Sequence, residues 1–255
     1  MSRRRILPLQ KLREQALLPE ICSYCSASLA PEAWPRGICP DCLSHIPLRP
    51  PGEMRYFSAL EEGRFSDSLP LYVFFYYEGD IRRAVTGLKF HERTDFCRSL
   101  GDLMVLSWRR RQRAEDEGKT AFRALAKAEA ILPLPLHKKR LRERGYNQAE
   151  LLAAPLAEAL GLPLYTDLLI RRKATLRQSE TKDRRERESN LRDAFICKDP
   201  GAVNGRCLVL FDDVSSSGAS LRQAARPLLE AGATVILAAM AGNIRTGNSD
   251  ALFSR

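Results

Sequence analysis

The stretch Cys207 to Ser220, CLVLFDDVSSSGAS, decides how this chain is read. A short apolar run, Leu208 to Phe211, delivers two carboxylates, Asp212 and Asp213. Small hydroxyl residues and one glycine then lead into a helical pattern from near Leu221 to Ala231, stopped by Gly232. A strand that ends on acids and passes through a glycine-bearing loop into a helix is a building unit of α/β sheets, whose ligands bind beyond the carboxyl ends of the strands. Backbone amides of the loop formed by Ser215, Ser216, Ser217, Gly218, Ala219 and Ser220, together with the helix N-terminus, can surround a phosphate, and the serine hydroxyls add donors. The carboxylates can accept hydrogen bonds from two neighbouring ribose hydroxyls and help hold a magnesium shell. The plainer reading is an Asp and Ser N-cap at an ordinary strand-to-helix turn. Composition alone leaves both open.

The same texture extends on both sides. Leu71 to Tyr77, LYVFFYY, is aromatic and β-branched and is bounded by Glu78, Gly79 and Asp80, so it predicts a strand. Apolar residues at helical spacing run from Ile81 to about Arg113, with turn-like residues near Phe90 to Asp95. Ala121 to Ala130 is helix-prone, and ILPLPL from Ile131 reads as a buried strand entering a Pro-bounded loop. Gln148 to Leu160 is helical, with Gly161 and Pro163 as stops, and Thr234 to Met240 predicts another strand. Alternation of this kind argues for a parallel α/β sheet flanked by helices.

At 255 residues, with 44% hydrophobic and 28% charged residues, the chain is long enough for a sizeable core and too apolar to be wholly disordered. The apolar stretches 71–77 and 235–241 fall far short of the roughly 18 residues a membrane span needs. Lys11, Arg13 and Glu14 interrupt the segment after Arg3, Arg4 and Arg5 before any long apolar run develops, so a cytoplasmic protein is expected. The formal net charge of +10 points to a polyanionic partner, a phosphate ester or a nucleic acid.

Four of the seven cysteines, Cys22, Cys25, Cys39 and Cys42, form two pairs, each enclosing two residues. Two such turns supply the four thiolates of a tetrahedral zinc site, and four thiolates leave no open position, so the metal would be structural. Four free or disulfide-bonded cysteines are the alternative. His45 is a spare candidate ligand or, more simply, a surface histidine.

The segment at Asp212 resembles the phosphoribosyl-pyrophosphate motif of type I phosphoribosyltransferases, in which two acids precede a loop of the form TTGAT; here the loop is Ser216 to Ser220. Residues 131–153, ILPLPLHKKRLRERGYNQAELLA, resemble the segment of ComF family proteins built around RGFNQ, with Tyr146 in place of Phe. Residues 171–195 match the same family through Thr175, Gln178, Arg187, Asn190 and Phe195, and the cysteine pairs complete the pattern. The resemblance covers about residues 20–241. It implies a four-cysteine zinc ribbon followed by a type I phosphoribosyltransferase-like domain that binds phosphoribosyl pyrophosphate with Mg²⁺. It also implies an association with natural transformation, the uptake of single-stranded DNA, alongside a helicase-like competence protein.

The expected organisation is a basic amino-terminal segment (1–20), the ribbon (21–52), a linker (53–70), the phosphoribosyltransferase-like domain (71–241) and a tail (242–255). Residues 137–147 hold five cations against Glu143, and residues 171–192 hold nine against four acids. Fixed cations can meet the charge that develops on a pyrophosphate leaving group, which makes Arg142, Arg144 and the Arg184 to Arg187 group candidates. Solvated helix faces, or a track for a DNA backbone, are the alternatives. No general base stands out; His137 and Glu143 are the nearest options. Two functions therefore stand: a phosphoribosyl-transferring enzyme, or a non-catalytic nucleic-acid or partner-binding protein that keeps a vestigial phosphoribosyl site.

Overall fold

The computed structural model describes residues 22, 27–28, 39–45, 55–58, 68–90, 95–113, 125, 127–172 and 194–242. Helix α1 (Pro40–His45) starts directly after Cys39 and carries Cys42. Strands β1 (Arg55–Ser58) and β2 (Ser68–Tyr76) precede helices α2 (Gly79–Phe90) and α3 (Asp95–Arg113). Then come β3 (Ala130–Pro133), α4 (Lys138–Arg144), α5 (Gln148–Leu160), β4 (Leu169–Arg171), β5 (Phe195–Cys197), α6 (Pro200–Val203), β6 (Cys207–Ser215), α7 (Ala219–Glu230) and β7 (Thr234–Gly242).

The main sheet has the order β1-β2-β7-β6-β3. Strands β2, β7, β6 and β3 are mutually parallel, and β1 joins the edge antiparallel. All four parallel strands therefore end at one edge, with Asp212 opposite Ala239, Ser215 opposite Gly242 and Pro133 opposite Phe211. Strands β6 and β7 are apolar without alternation because both of their faces are covered, as parallel sheets require. Phe74, Val209, Phe211 and Met240 pack on one side with Val85, Leu100, Met104, Trp108 and Leu152 of α2, α3 and α5. Leu71, Val73, Leu208, Leu210 and Leu237 pack on the other side with Leu221, Ala225 and Leu228 of α7.

Close packing at one helix crossing is visible in the sequence only afterwards. Gly101 of α3 lies against Pro155 of α5 so tightly that a Cβ at 101 would come within 2.7 Å of Pro155 Cβ and closer still to its Cγ. The two helices share one of the larger interfaces in the fold, and glycine is what permits it.

The strand at 71–77, the helix at 148–160 and the strand at 234–240 are present; the break expected near 90–95 falls largely on residues 91–94, which lie outside the described residues. Three elements differ from expectation. The connector region contributes the edge strand β1. The helix-prone stretch ending at Ala130 gives way by Lys127 to a turn, and Ala130 itself pairs with Leu208 as the first residue of β3. The second, two-stranded antiparallel sheet of β4 and β5, with Arg171 opposite Phe195, was not expected at all. It covers the α7 side of the main sheet, where Leu168, Leu169, Ala194 and Phe195 are buried with Leu208 and Leu210.

Candidate functional site

The acidic pair sits where β6 leaves the sheet. Asp212 Oδ1 accepts the amide of Asp213 at 2.8 Å, and Asp213 Oδ1 accepts that of Val214 at 2.7 Å, so each carboxylate is oriented by the backbone that carries it. Asp213 and Ser215 are buried, at 8% and 3% exposure. Ser215 Oγ is inaccessible to solvent and has no hydrogen-bond partner among the described residues. A buried hydroxyl of that kind costs free energy unless something bonds to it.

Ser216 and Ser217 are exposed at the tip of the turn, and Ser217 Oγ accepts the amide of Ala219 at 3.4 Å. Gly218 takes φ +72° and is the N-cap of α7, with no side-chain cap. A left-handed residue is needed to swing the chain from strand into helix here, and glycine adopts that conformation without penalty. Helix α7 begins at Ala219, two residues earlier than the sequence pattern suggests, so Ala219 and Ser220 belong to its first turn.

The neighbouring strand exit is tied to the same edge. The amide of Leu134 donates to Phe211 O at 2.7 Å, extending the β3–β6 ladder by one bond. Pro135 and Leu136 then lead to His137, whose Nδ1 accepts the amide of Lys139 at 3.3 Å and caps α4. No residue of α4 is buried, and Leu141 is exposed among its cations.

The residues after α4 have structural work that sequence reasoning did not anticipate. Gly145, at φ +76°, ends α4. Tyr146 donates its hydroxyl to Leu88 O at 2.7 Å, and Gln148 Nε2 donates to the same carbonyl at 3.5 Å, pinning α5 to the last turn of α2. Asn147 caps α5 by accepting the amide of Ala149 at 3.2 Å and donates Nδ2 to Leu134 O at 3.1 Å. Arg144, one of the two candidate arginines, donates Nη1 to Gln148 Oε1 at 3.1 Å; the other, Arg142, is exposed. The Arg184 to Arg187 group lies outside the described residues, as do Thr175, Gln178, Arg187 and Asn190.

Arg171, at the end of β4, is the cation that sequence reasoning did not single out. Its Cζ lies 5.3 Å from the ring centroid of Phe195, its cross-strand partner. Burial pushes its pKa below the ordinary arginine value, Arg140 in the first turn of α4 pushes the same way, and Asp212 opposes both. Arg140 of α4 and Asp212 of β6 thus both act on Arg171 at the end of β4. Arg171 was hidden in a run of basic residues; only its pairing with Phe195 distinguishes it. Elsewhere, burial raises the Glu150 carboxyl and, as the first cause in each case, the Cys197 and Cys207 thiols, which keeps both thiols protonated at neutral pH.

The sulfurs of Cys22, Cys39 and Cys42 lie within 4.8 Å of one another, a set that can hold a metal ion. The amide of Cys39 donates to Cys22 Sγ at 3.3 Å and that of Cys42 to Cys39 Sγ at 3.4 Å. Such N–H···S bonds stabilise thiolates, and ligands of one tetrahedral zinc would stand about 3.8 Å apart. Cys25 lies outside the described residues. His45 turns its Nδ1 to Asp41 O at 2.7 Å, so that nitrogen is engaged with its own helix. Among the described residues no helix is long and apolar enough to cross a membrane.

No family model matches the chain. It is 27% identical over 226 residues to DNA utilization protein YhgH of Escherichia coli strain K12, covering 85% of this chain and 87% of that one. It is 33% identical over 147 residues to competence protein F of Haemophilus influenzae, covering 56% and 59% of the two chains. With competence protein ComFC of Bacillus subtilis it shares 34% identity over 102 residues, or 40% and 39%. A solved structure of the allosteric regulatory enzyme of purine biosynthesis aligns with 48% of the chain and 26% of its own, at 24% identity and a TM-score of 0.30. These sequence relatives, at 27–34% identity, support a ComF family protein.

Proposed function

We propose that the carboxyl edge binds phosphoribosyl pyrophosphate with Mg²⁺ and that the protein transfers its phosphoribosyl group. The observation that carries this is the turn from β6 to α7: two backbone-oriented carboxylates, a buried Ser215 hydroxyl without a partner among the described residues, and a glycine-turned helix N-terminus, all within seven residues. In this reading Asp212 and Asp213 accept the ribose hydroxyls, and Ser215, Ser216, Ser217, Gly218, Ala219 and Ser220 surround the 5′-phosphate. In the same reading Arg142 and Arg144 of α4 are assigned to meet the pyrophosphate. Mg²⁺, when bound, supplies charge neutralisation for the pyrophosphate. Catalysis then rests on positioning and electrostatics more than on a dedicated base.

Its relatives are named as DNA utilization and competence proteins, which supports a role in DNA utilisation or competence; in this reading its partners are single-stranded DNA and a helicase-like competence protein. The specific observation for direct DNA contact is α4, a helix with no fully buried residue on which Lys138, Lys139 and Arg142 are exposed. If it tracks a phosphate backbone, retention of single-stranded DNA should fall steeply with salt. The ribbon cysteines Cys22, Cys25, Cys39 and Cys42 are assigned to one structural zinc, with about one zinc per chain expected from metal analysis.

The deciding experiment is calorimetric titration with phosphoribosyl pyrophosphate and Mg²⁺, comparing the native protein with Asp212→Asn/Asp213→Asn. Heat that disappears in the double variant supports the site. Absence of heat in the native protein, or equal heat in both, overturns it. Pyrophosphate release on adding candidate acceptors separates enzyme from binding protein.

A further inference from the structure

Exposure divides the cysteines that can hold a metal. Cys22 is buried, at 1% exposure, inside an apolar cluster of the core, whereas Cys39 and Cys42 are half-buried and pack against that cluster from outside. The latter two stand three residues apart, Cys39 directly before α1 and Cys42 within it. Residues three apart at a helix start are neighbours, which suits closure of a disulfide. The amide of Cys42 already lies 3.4 Å from Cys39 Sγ, and both sulfurs belong to the set that falls within 4.8 Å. A bridge to Cys22 would instead pull on a residue held in the core, and a close-packed core does not yield freely. A small oxidant therefore reaches Cys39 and Cys42 before Cys22, and finds in them two sulfurs placed to bond each other.

We infer that Cys39 and Cys42 form a reversible redox pair, oxidised by hydroperoxides to a disulfide while Cys22 stays reduced. One sulfur, as its thiolate, attacks a peroxide oxygen; the O–O bond breaks, an S–O bond forms, and the departing oxygen takes a proton and leaves as alcohol or water. The second sulfur then attacks the sulfenic acid so formed, making the S–S bond and expelling water. Counted from the thiols, the two cysteines lose two electrons and two protons, and the hydroperoxide is reduced by the same amount. Metal release follows, and this step alone rests on the structural-zinc reading above: a disulfide removes two thiolates from a four-thiolate site. A dithiol reductant reverses the bridge. Cys197 and Cys207 are half-buried as well, but burial raises the pKa of both thiols and keeps them protonated, so the pair reacts ahead of them.

The test is titration of the full chain, purified under reducing conditions, with hydrogen peroxide. Released zinc is read with a chromogenic chelator, and the remaining thiols are alkylated in denaturant and located by mass spectrometry of a non-reducing digest. An internal bridge between Cys39 and Cys42 is expected, with Cys22 alkylated and about one zinc released per bridge. Cys39 and Cys42 should leave the reduced pool about tenfold faster than Cys197 and Cys207. Dithiothreitol with added zinc should restore both thiols. In Cys42→Ser the bridge cannot close, so dimedone should trap Cys39 as its sulfenic acid. A bridge that includes Cys22 or Cys25, oxidation of Cys197 and Cys207 ahead of the pair, or oxidation that dithiothreitol does not reverse overturns the inference. If Cys42→Ser fails to fold, as judged by circular dichroism, the peptide map of the native chain decides. A bridge between Cys39 and Cys42 in protein that carries no metal removes the zinc reading alone; metal-bearing protein whose cysteines resist peroxide removes this inference alone.

Discussion

Asn147 is the best single place to test how the site is held. Its side chain accepts from the amide of Ala149 and donates to Leu134 O, linking the start of α5 to the loop that leaves β3. Asn147→Ala removes both bonds. Loss of the cap costs about 1 kcal/mol. Leaving Leu134 O buried without its donor costs about 1–3 kcal/mol more. Together the expected loss is about 2–4 kcal/mol, a large share of the stability of a typical domain. Asn147→Asp separates the two contributions: the carboxylate still caps α5 and suits a helix N-terminus, but it cannot donate to Leu134 O. It should therefore lose only the second part. Urea unfolding followed by far-ultraviolet circular dichroism gives both numbers by linear extrapolation. A loss below about 0.5 kcal/mol in Asn147→Ala, the range of an ordinary surface change, would refute this account, as would native stability in Asn147→Asp. Because Leu134 also donates to Phe211 O just before Asp212, Asn147→Ala should weaken pyrophosphate binding in addition to stability.

Three further outcomes are expected. Gly101→Ala forces a methyl against the rigid ring of Pro155, and overpacking of about 1–3 kcal/mol should outweigh the roughly 1 kcal/mol that alanine gains in a helix, so thermal melting should move down; an upward shift would contradict the crossing described. Burial raises the folded-state pKa of Glu150, so its favourable contribution is complete below the ordinary glutamate range and is lost as pH rises through the raised value. Glu150→Gln should therefore gain stability over the native protein between pH 4 and pH 7, measured by urea unfolding at each pH, and a native protein that gains on the variant across that range would reverse the sign. Chelation of metal should lower the melting temperature of the α/β core itself, because Cys22 is 1% exposed within the same apolar cluster as Phe74 and Trp108; an unchanged core transition would show the cysteines to be energetically separate.

What could be read from the sequence was whatever local chemistry dictates. Leu208 to Phe211, the acidic pair and the small-residue loop announce a strand, a turn and a helix because burial on both faces, charge at the sheet edge and a left-handed glycine each leave a mark on composition. Gln148 to Leu160 shows its buried face directly. Helix α4 left no such mark, since a helix that buries nothing has no apolar period to detect, and only its caps at His137 and Gly145 hint at it. Strands β4 and β5 have three residues each and are separated by 172–194, so neither exists without the other or without α7 beneath them. Arg171 shares that fate: its role depends on Phe195 and Asp212, which are near it only after folding. Tyr146, Asn147 and Gln148 could be recognised as a motif, yet their hydrogen bonds to Leu88 and Leu134 depend on tertiary geometry.

The burial of Cys22 among core side chains bears on how the two parts of this protein can change over evolutionary time. A ribbon joined only by a tether could be deleted or exchanged with little effect on its neighbour. Here the first cysteine is one of the stones of the wall. Loss of Cys22 would uncover part of the apolar cluster to which it belongs and invite self-association, unless compensating substitutions arose elsewhere in that cluster. Gain or loss of the cysteine-bearing segment should therefore be accompanied by correlated change in the cluster that Cys22 joins.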